Sequence, residues 1–193
     1  MSIRTVYLLR HAQEDRDNRA DVWGGPLTRT GVAQAQAAAT FLQNVPFTVI
    51  YASTLRRARH TAKYIAQYHP GVPLMGTNLL WECIPSVPHL SSDTANLISP
   101  EHVQQDRERI ALAYERYFSP PENGTERHDL IVCHGNLIRY FVCRILHAPL
   151  EMWVNLEMCN CGLTRVEIRP NGRRVLIAHN ESCYLPESLI TFV

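Results

Sequence analysis

The chain has 193 residues, 46% apolar and 19% charged, a composition that excludes a disordered polymer and suits one substantial buried core. Nineteen Lys and Arg against 18 Asp and Glu leave a formal net charge of +1, so no global field draws it to nucleic acid or to an anionic membrane. No apolar run approaches the length needed to cross a bilayer, and neither nucleic acid nor membrane is an expected partner.

In chain order, Val6-Tyr7-Leu8-Leu9 reads as a buried strand that runs straight into Arg10-His11. Thr28 is a good N-cap for an alanine- and glutamine-rich helix ending near Gln43. Residues 47–52 are β-branched and aromatic, hence a strand. Ser53 is the expected cap of a helix that continues to about Tyr68 and stops at Pro70-Gly71. Residues 79–84 are a short apolar run carrying one acid, Glu82. Residues 85–99 contain prolines and serines with little periodicity and are expected to be a loop or lid. Ser99-Pro100-Glu101 opens a helix to about Phe118, and Pro120-Pro121-Glu122-Asn123-Gly124 reads as a surface loop. A strand over 129–133 and a helix over 137–147 follow. Segments 163–169 and 174–179 flank Pro170-Asn171-Gly172, a strong hairpin signal. Alternating strands and helices predict an α/β fold, a sheet flanked by helices, in one domain spanning residues 1–193.

An Arg-His pair at the carboxyl end of a strand stands where α/β sheets bind ligands. Leu130-Ile131-Val132-Cys133 running into His134-Gly135-Asn136 repeats the arrangement, so two strand-terminal histidines point to one site facing an anion. Lys63 is the only lysine, and arginine suits fixed bidentate phosphate contacts. His60, His69, His89, His102, His128, His147 and His179 lack such a setting and are expected at the surface or in the core. Trp23, Trp81 and Trp153 are expected to pack. The six cysteines lie in strand- and helix-like settings with no secretory signal before the first strand, so reduced thiols in a cytoplasmic protein are expected. Cys159-Asn160-Cys161 lacks the CxxC spacing and further ligands of a structural zinc site, and no metal is expected.

Arg10-His11, then Ser53-Thr54-Leu55-Arg56-Arg57-Ala58, then Glu82, then His134-Gly135 resembles, in order and approximate spacing, the histidine phosphatase superfamily, the fold of cofactor-dependent phosphoglycerate mutases and acid phosphatases. The resemblance implies a three-layer α/β/α fold with a mostly parallel central sheet. It implies His11 as nucleophile, Arg10, Arg57 and His134 around the phosphoryl group, with His134 also catalytic, and Glu82 as proton donor. A slipped register would bring Arg56 in place of Arg57, and Asp93 or Glu14 would be the replacement acid. Two guanidiniums beside an imidazole oppose a second positive charge and keep the nucleophile unprotonated. The same guanidiniums stabilise equatorial charge in phosphoryl transfer. An acid between Trp81 and Cys83 is desolvated, which favours its protonated form. Two departures stand out: Ala12 occupies a position commonly Gly in the superfamily, and Gln13-Glu14 follows where Glu-Thr or Gln-Thr is frequent.

The likeness is most specific to the branch of the mitochondrial phosphoglycerate-mutase-like protein Ser/Thr phosphatase. Leu79-Leu80-Trp81-Glu82, the stretch from Val132 to Tyr140, and Ile168-Arg169-Pro170-Asn171-Gly172-Arg173 carry it, and it persists in Tyr184-Leu185-Pro186. The branch implies a metal-independent phosphatase without cofactor, acting on a phosphoprotein or another phosphomonoester; a homodimer is compatible with the chain, and the multimer assembly of the branch member is not expected to carry over. Mitochondrial anchoring is not expected to carry over, because Met1 leads almost directly into the first strand. Phosphoglycerate mutase, or a small-metabolite phosphatase, is the alternative, and a non-catalytic phospho-binding module the third reading. Between Lys63 and Arg107 there is no Lys or Arg, which disfavours a mutase that must retain a bisphosphorylated intermediate.

Overall fold

The computed structural model describes residues 2–17, 24–87, 99–121 and 125–192. Six strands form one sheet: β1 (Arg4–Arg10), β2 (Val49–Ser53), β3 (Leu74–Thr77), β4 (Arg127–Cys133), β5 (Leu163–Ile168) and β6 (Arg174–Glu181), in spatial order β3-β2-β4-β1-β5-β6. β1, β2, β3 and β4 run parallel, whereas β5 and β6 are antiparallel additions beyond β1. Among the described residues, four α-helices cover the faces: α1 (Arg29–Leu42), α2 (Arg56–Ala66), α3 (Pro100–Tyr117) and α4 (Gly135–Leu146). The expected three-layer, mostly parallel α/β/α arrangement is therefore present.

The central strands are apolar on both faces, as strands of a parallel sheet covered twice must be. Along β4, Leu130 and Val132 enter the core under α1 and α2, while Ile131 and Cys133 enter the core with α3 and α4. At the amino end of the sheet, the buried carboxylate of Asp129 accepts from Arg4 Nε at 2.8 Å and from Arg127 Nε at 2.7 Å.

Local chemistry explains most boundaries. Thr28 caps α1 by accepting the Gly31 N–H at 2.9 Å, and Ser99 caps α3. A Cβ at Gly31 would stand 2.1 Å from the carbonyl oxygen of Gln13, so only glycine lets α1 start against the turn that follows β1. The hairpin forms as expected, with Gly172 at φ 80° donating to the Arg169 carbonyl at 2.8 Å.

Two expectations are corrected, and one strand was not expected. Ser53 does not cap α2: it is the last residue of β2, and Leu55 holds the N-cap position without a side-chain bond. β3 escapes the sequence reading because it is four residues, largely exposed and interrupted by Gly76. α4 starts directly after His134, where the sequence opens a helical stretch, and so ahead of the start expected at residue 137. Most of the expected lid (88–98) lies outside the described residues, as do Trp23, His89, Asp93 and part of the 120–124 loop.

Candidate active site

β1 and β4 pair with Arg10 opposite Cys133, so His11 and His134 leave the sheet side by side at its carboxyl end. Their ring centroids are 5.1 Å apart, and both side chains are buried. The His11 N–H donates to the Cys133 carbonyl at 2.9 Å, continuing the ladder one residue past the strand.

The turn after β1 fixes the His11 ring. Its Nδ1 lies 2.8 Å from the Ala12 carbonyl, and a carbonyl only accepts, so Nδ1 carries the proton and Nε2 presents its lone pair. The Ala12 N–H donates to Thr61 Oγ1 at 3.0 Å, and that hydroxyl donates to the Arg57 carbonyl at 2.8 Å. Helix α2 is thereby tied to the turn. The methyl of Ala12 is fully buried in the core under α1 and α2, which accounts for a small apolar residue where glycine is common.

Arg57 Nε donates to His11 Nε2 at 3.0 Å, and Arg57 Nη1 pairs with Glu14 Oε2 at 3.3 Å. Arg56, the slipped-register option, is exposed, and Glu14, the alternative acid, is engaged with Arg57. Arg10 Nη1 donates to the Met158 carbonyl. Burial, then the guanidiniums of Arg57 and Arg10, holds the His11 pKa well below that of an ordinary imidazole. His134 is depressed in the same direction, first by burial and then by His11 and the two arginines. Its Nε2 meets Ser53 Oγ at 2.8 Å, so the serine read as a helix cap is a partner of the second histidine.

Glu82 stands two residues beyond a 3-10 turn spanning Asn78–Leu80. Burial raises its carboxyl pKa, opposed by the Cys83 N–H, 3.1 Å from Oε1, and by Arg57 and Arg10. Trp81 beside it donates from Nε1 to Thr54 Oγ1 at 2.6 Å, and Trp153 to Ser86 Oγ at 3.0 Å.

Two buried amides have no signature in the sequence. Asn160 Nδ2 donates to the His11 carbonyl at 3.1 Å, and its Oδ1 accepts from Thr191 Oγ1 at 2.8 Å. Gln34 Oε1 accepts the Gln13 N–H at 2.8 Å, while its Nε2 donates to the Leu189 carbonyl and to Thr191 Oγ1. The backbone of the turn after β1 is thus tied to the C-terminal segment. The flanking cysteines diverge: the Cys159 thiol donates to Asn180 Oδ1 at 3.2 Å, whereas Cys161 is buried in the core under α1 and α2. Burial pushes both thiols up. Among the described residues, no three His, Cys, Asp or Glu side chains are grouped to hold a metal ion.

A sequence model of the histidine phosphatase superfamily (branch 1) matches residues 6–84 and 86–181, and the chain belongs to that superfamily. It is 32% identical over 194 residues to the mitochondrial serine/threonine-protein phosphatase Pgam5 of Caenorhabditis briggsae, covering 98% of this chain and 67% of that protein. It is 33% identical to its Homo sapiens counterpart, covering 97% of this chain and 66% of the relative. The chain therefore spans about two thirds of the length of these relatives. Among solved structures, a Plasmodium falciparum phosphoglycerate mutase is similar with a TM-score of 0.67 and 28% identity, over 97% of this chain and 96% of that one. Bacillus stearothermophilus YhfR shares the fold with a TM-score of 0.76 at 21% identity, over 95% of this chain and 100% of that one. The relatives are mitochondrial proteins, and on that finding the expected cytoplasmic setting is withdrawn.

Proposed function

We propose that the chain hydrolyses phosphomonoesters without a metal, through a phosphohistidine on His11, and that its substrates are phosphorylated serine and threonine side chains of proteins. The observation that carries the reading is the fixed tautomer of His11, whose Nε2 lone pair faces a guanidinium in a buried site. The protein phosphatases to which the chain is similar support the substrate class.

Nε2 attacks phosphorus, the N–P bond forming as the ester P–O bond breaks. In the resting site Arg57 Nε–H caps that lone pair, so an incoming phosphoryl group must draw the same N–H onto one of its oxygens. Arg10, Arg57 and His134 carry the charge that develops on the equatorial oxygens. Glu82, whose protonated form burial favours, gives its proton to the leaving alkoxide. Its carboxylate then takes a proton from water as the water oxygen displaces Nε2, which releases phosphate and restores His11.

The neighbouring phosphoglycerate mutase supports the alternative of mutase chemistry. Against it, residues 64–106 contain no Lys or Arg to retain a bisphosphorylated intermediate. The test is rapid-quench labelling with a radiolabelled phosphoester in EDTA. An acid-labile, base-stable adduct on His11, absent from His11→Ala, is expected. Full turnover by His11→Ala, or dependence on an added divalent ion, overturns the mechanism. Interconversion of 2- and 3-phosphoglycerate that outpaces hydrolysis of every phosphopeptide overturns the substrate class.

A further inference from the structure

We infer that Asp106 and Arg109, one turn apart on α3, are positioning residues that aim Glu82 at the leaving group; this rests on the reading of Glu82 as proton donor. The segment carrying Glu82 has no strand or helix to hold it: after the 3-10 turn the chain is irregular through Val87. Several of its backbone polar groups are nonetheless held by side chains of the neighbouring helices. Arg109 Nη1 donates to the carbonyls of Leu79 at 3.3 Å and Trp81 at 2.9 Å, and Nη2 donates to the carbonyl of Glu82 itself at 3.0 Å. Asp106 fixes the guanidinium through Oδ1, while its Oδ2 accepts the Ile84 N–H at 2.8 Å. From α4, Asn136 Nδ2 donates to the Cys83 carbonyl at 3.0 Å, and Arg139 Nη1 steadies Asn136 at 3.2 Å.

Both terminal nitrogens of one guanidinium go to the segment that bears the acid, and its ion-pair partner, 5% exposed, binds the same segment two residues further on. The planar fork of arginine can span three carbonyls; an ammonium, a compact point charge, cannot hold that geometry. Proton transfer in the transition state is sensitive to placement, a shift of about 1 Å costing about 10²-fold.

The test compares an alkyl phosphate, such as a phosphoserine peptide, with p-nitrophenyl phosphate, whose phenolate leaves without a proton. Arg109→Lys is expected to slow the alkyl substrate about tenfold or more and the aryl substrate no more than about twofold. In a Glu82→Gln background, Arg109→Lys should add no further alkyl loss, because the group it aims is gone. Asp106→Asn, which keeps an acceptor for the Ile84 N–H, is the second variant if Arg109→Lys does not fold, with the same contrast expected. Equal slowing of both substrates, or additive losses in the double variant, reduces these residues to a structural role and overturns the proposal. Should Glu82→Gln itself show no alkyl-to-aryl contrast, the proton-donor reading falls and this inference with it. A contrast in Glu82→Gln but not in the α3 variants sinks the positioning role alone.

Discussion

The two ends of the proposed active site are built by different means. At the phosphate end, His11 and His134 follow the last residues of two paired strands, and Ser53 ends a third, so backbone register sets how far apart they stand. At the leaving-group end, Glu82 is on an irregular segment held by side chains of α3 and α4. Strand hydrogen bonds form whatever the side chains are; the clamp on Glu82 exists only with particular residues. Damage should therefore differ in kind: loss at the phosphate end affects every ester, and loss at the other end affects only those with a poor leaving group.

Arg57→Ala should break the phosphate end most severely. It removes the donor to His11 Nε2 and the ion pair that Arg57 makes with Glu14. A guanidinium that stabilises phosphoryl transfer is worth about 10³–10⁵-fold, and alkyl and aryl phosphates should lose equally. Steady-state kinetics on both substrates measures it; a loss confined to the alkyl ester would assign Arg57 to leaving-group protonation instead. Glu82→Gln ranks next, with a loss of about 10²–10⁴-fold on a phosphoserine peptide and little on p-nitrophenyl phosphate. Equal losses would mean that the proton comes from elsewhere.

The same division governs what could be read without coordinates. Arg10, His11 and His134 are legible because a buried strand running into a charged pair has one outcome in a parallel sheet: the pair emerges at the carboxyl end. Arg57 and Glu82 came from the resemblance in motif order and spacing, Glu82 standing out further as the one acid in an apolar run. Asp106 and Arg109 were not legible, since their bonds to Leu79 and Ile84 span 30 and 22 residues and the pair looks like any charged face of a helix. Asn160 was hidden between two cysteines that drew attention to metal chemistry, and Ser53 looked like a cap because serine before a helical stretch usually is one. The strand β3 was missed because an exposed edge needs no alternating pattern.

A smaller effect, in pH, sharpens the comparison further. Burial raises the Glu82 carboxyl, so its protonated form persists to higher pH than an ordinary glutamic acid and is lost as pH rises through the shifted value. His11 is shifted the other way, so its lone pair stays available until pH falls well below the usual imidazole range. Turnover of an alkyl phosphate should thus fall on the basic side by about tenfold per pH unit, and this limb should vanish in Glu82→Gln on the same substrate. The acid limb should be unchanged by that substitution. A basic limb that survives Glu82→Gln assigns the titration to another group.

Asn160→Ala is expected to have the mildest effect on turnover and tests whether the phosphate end, too, depends on a chosen side chain. Asn160 is fully buried and joins the His11 carbonyl to Thr191, yet the His11 N–H remains held by Cys133 and its ring by Ala12. Removing the amide leaves the His11 carbonyl with the Cys161 N–H at 3.5 Å and deprives the Thr191 hydroxyl of its acceptor. Losing one partner of a buried hydrogen bond costs about 1–3 kcal/mol, so thermal or denaturant unfolding should register the change clearly. Because register and turn still fix the imidazole, turnover should drop less than about tenfold, and equally for alkyl and aryl esters. That equality distinguishes it from Arg109→Lys, which acts on the acid. A selective alkyl loss in Asn160→Ala would mean that the C-terminal segment communicates with Glu82, and the two ends would no longer be separable.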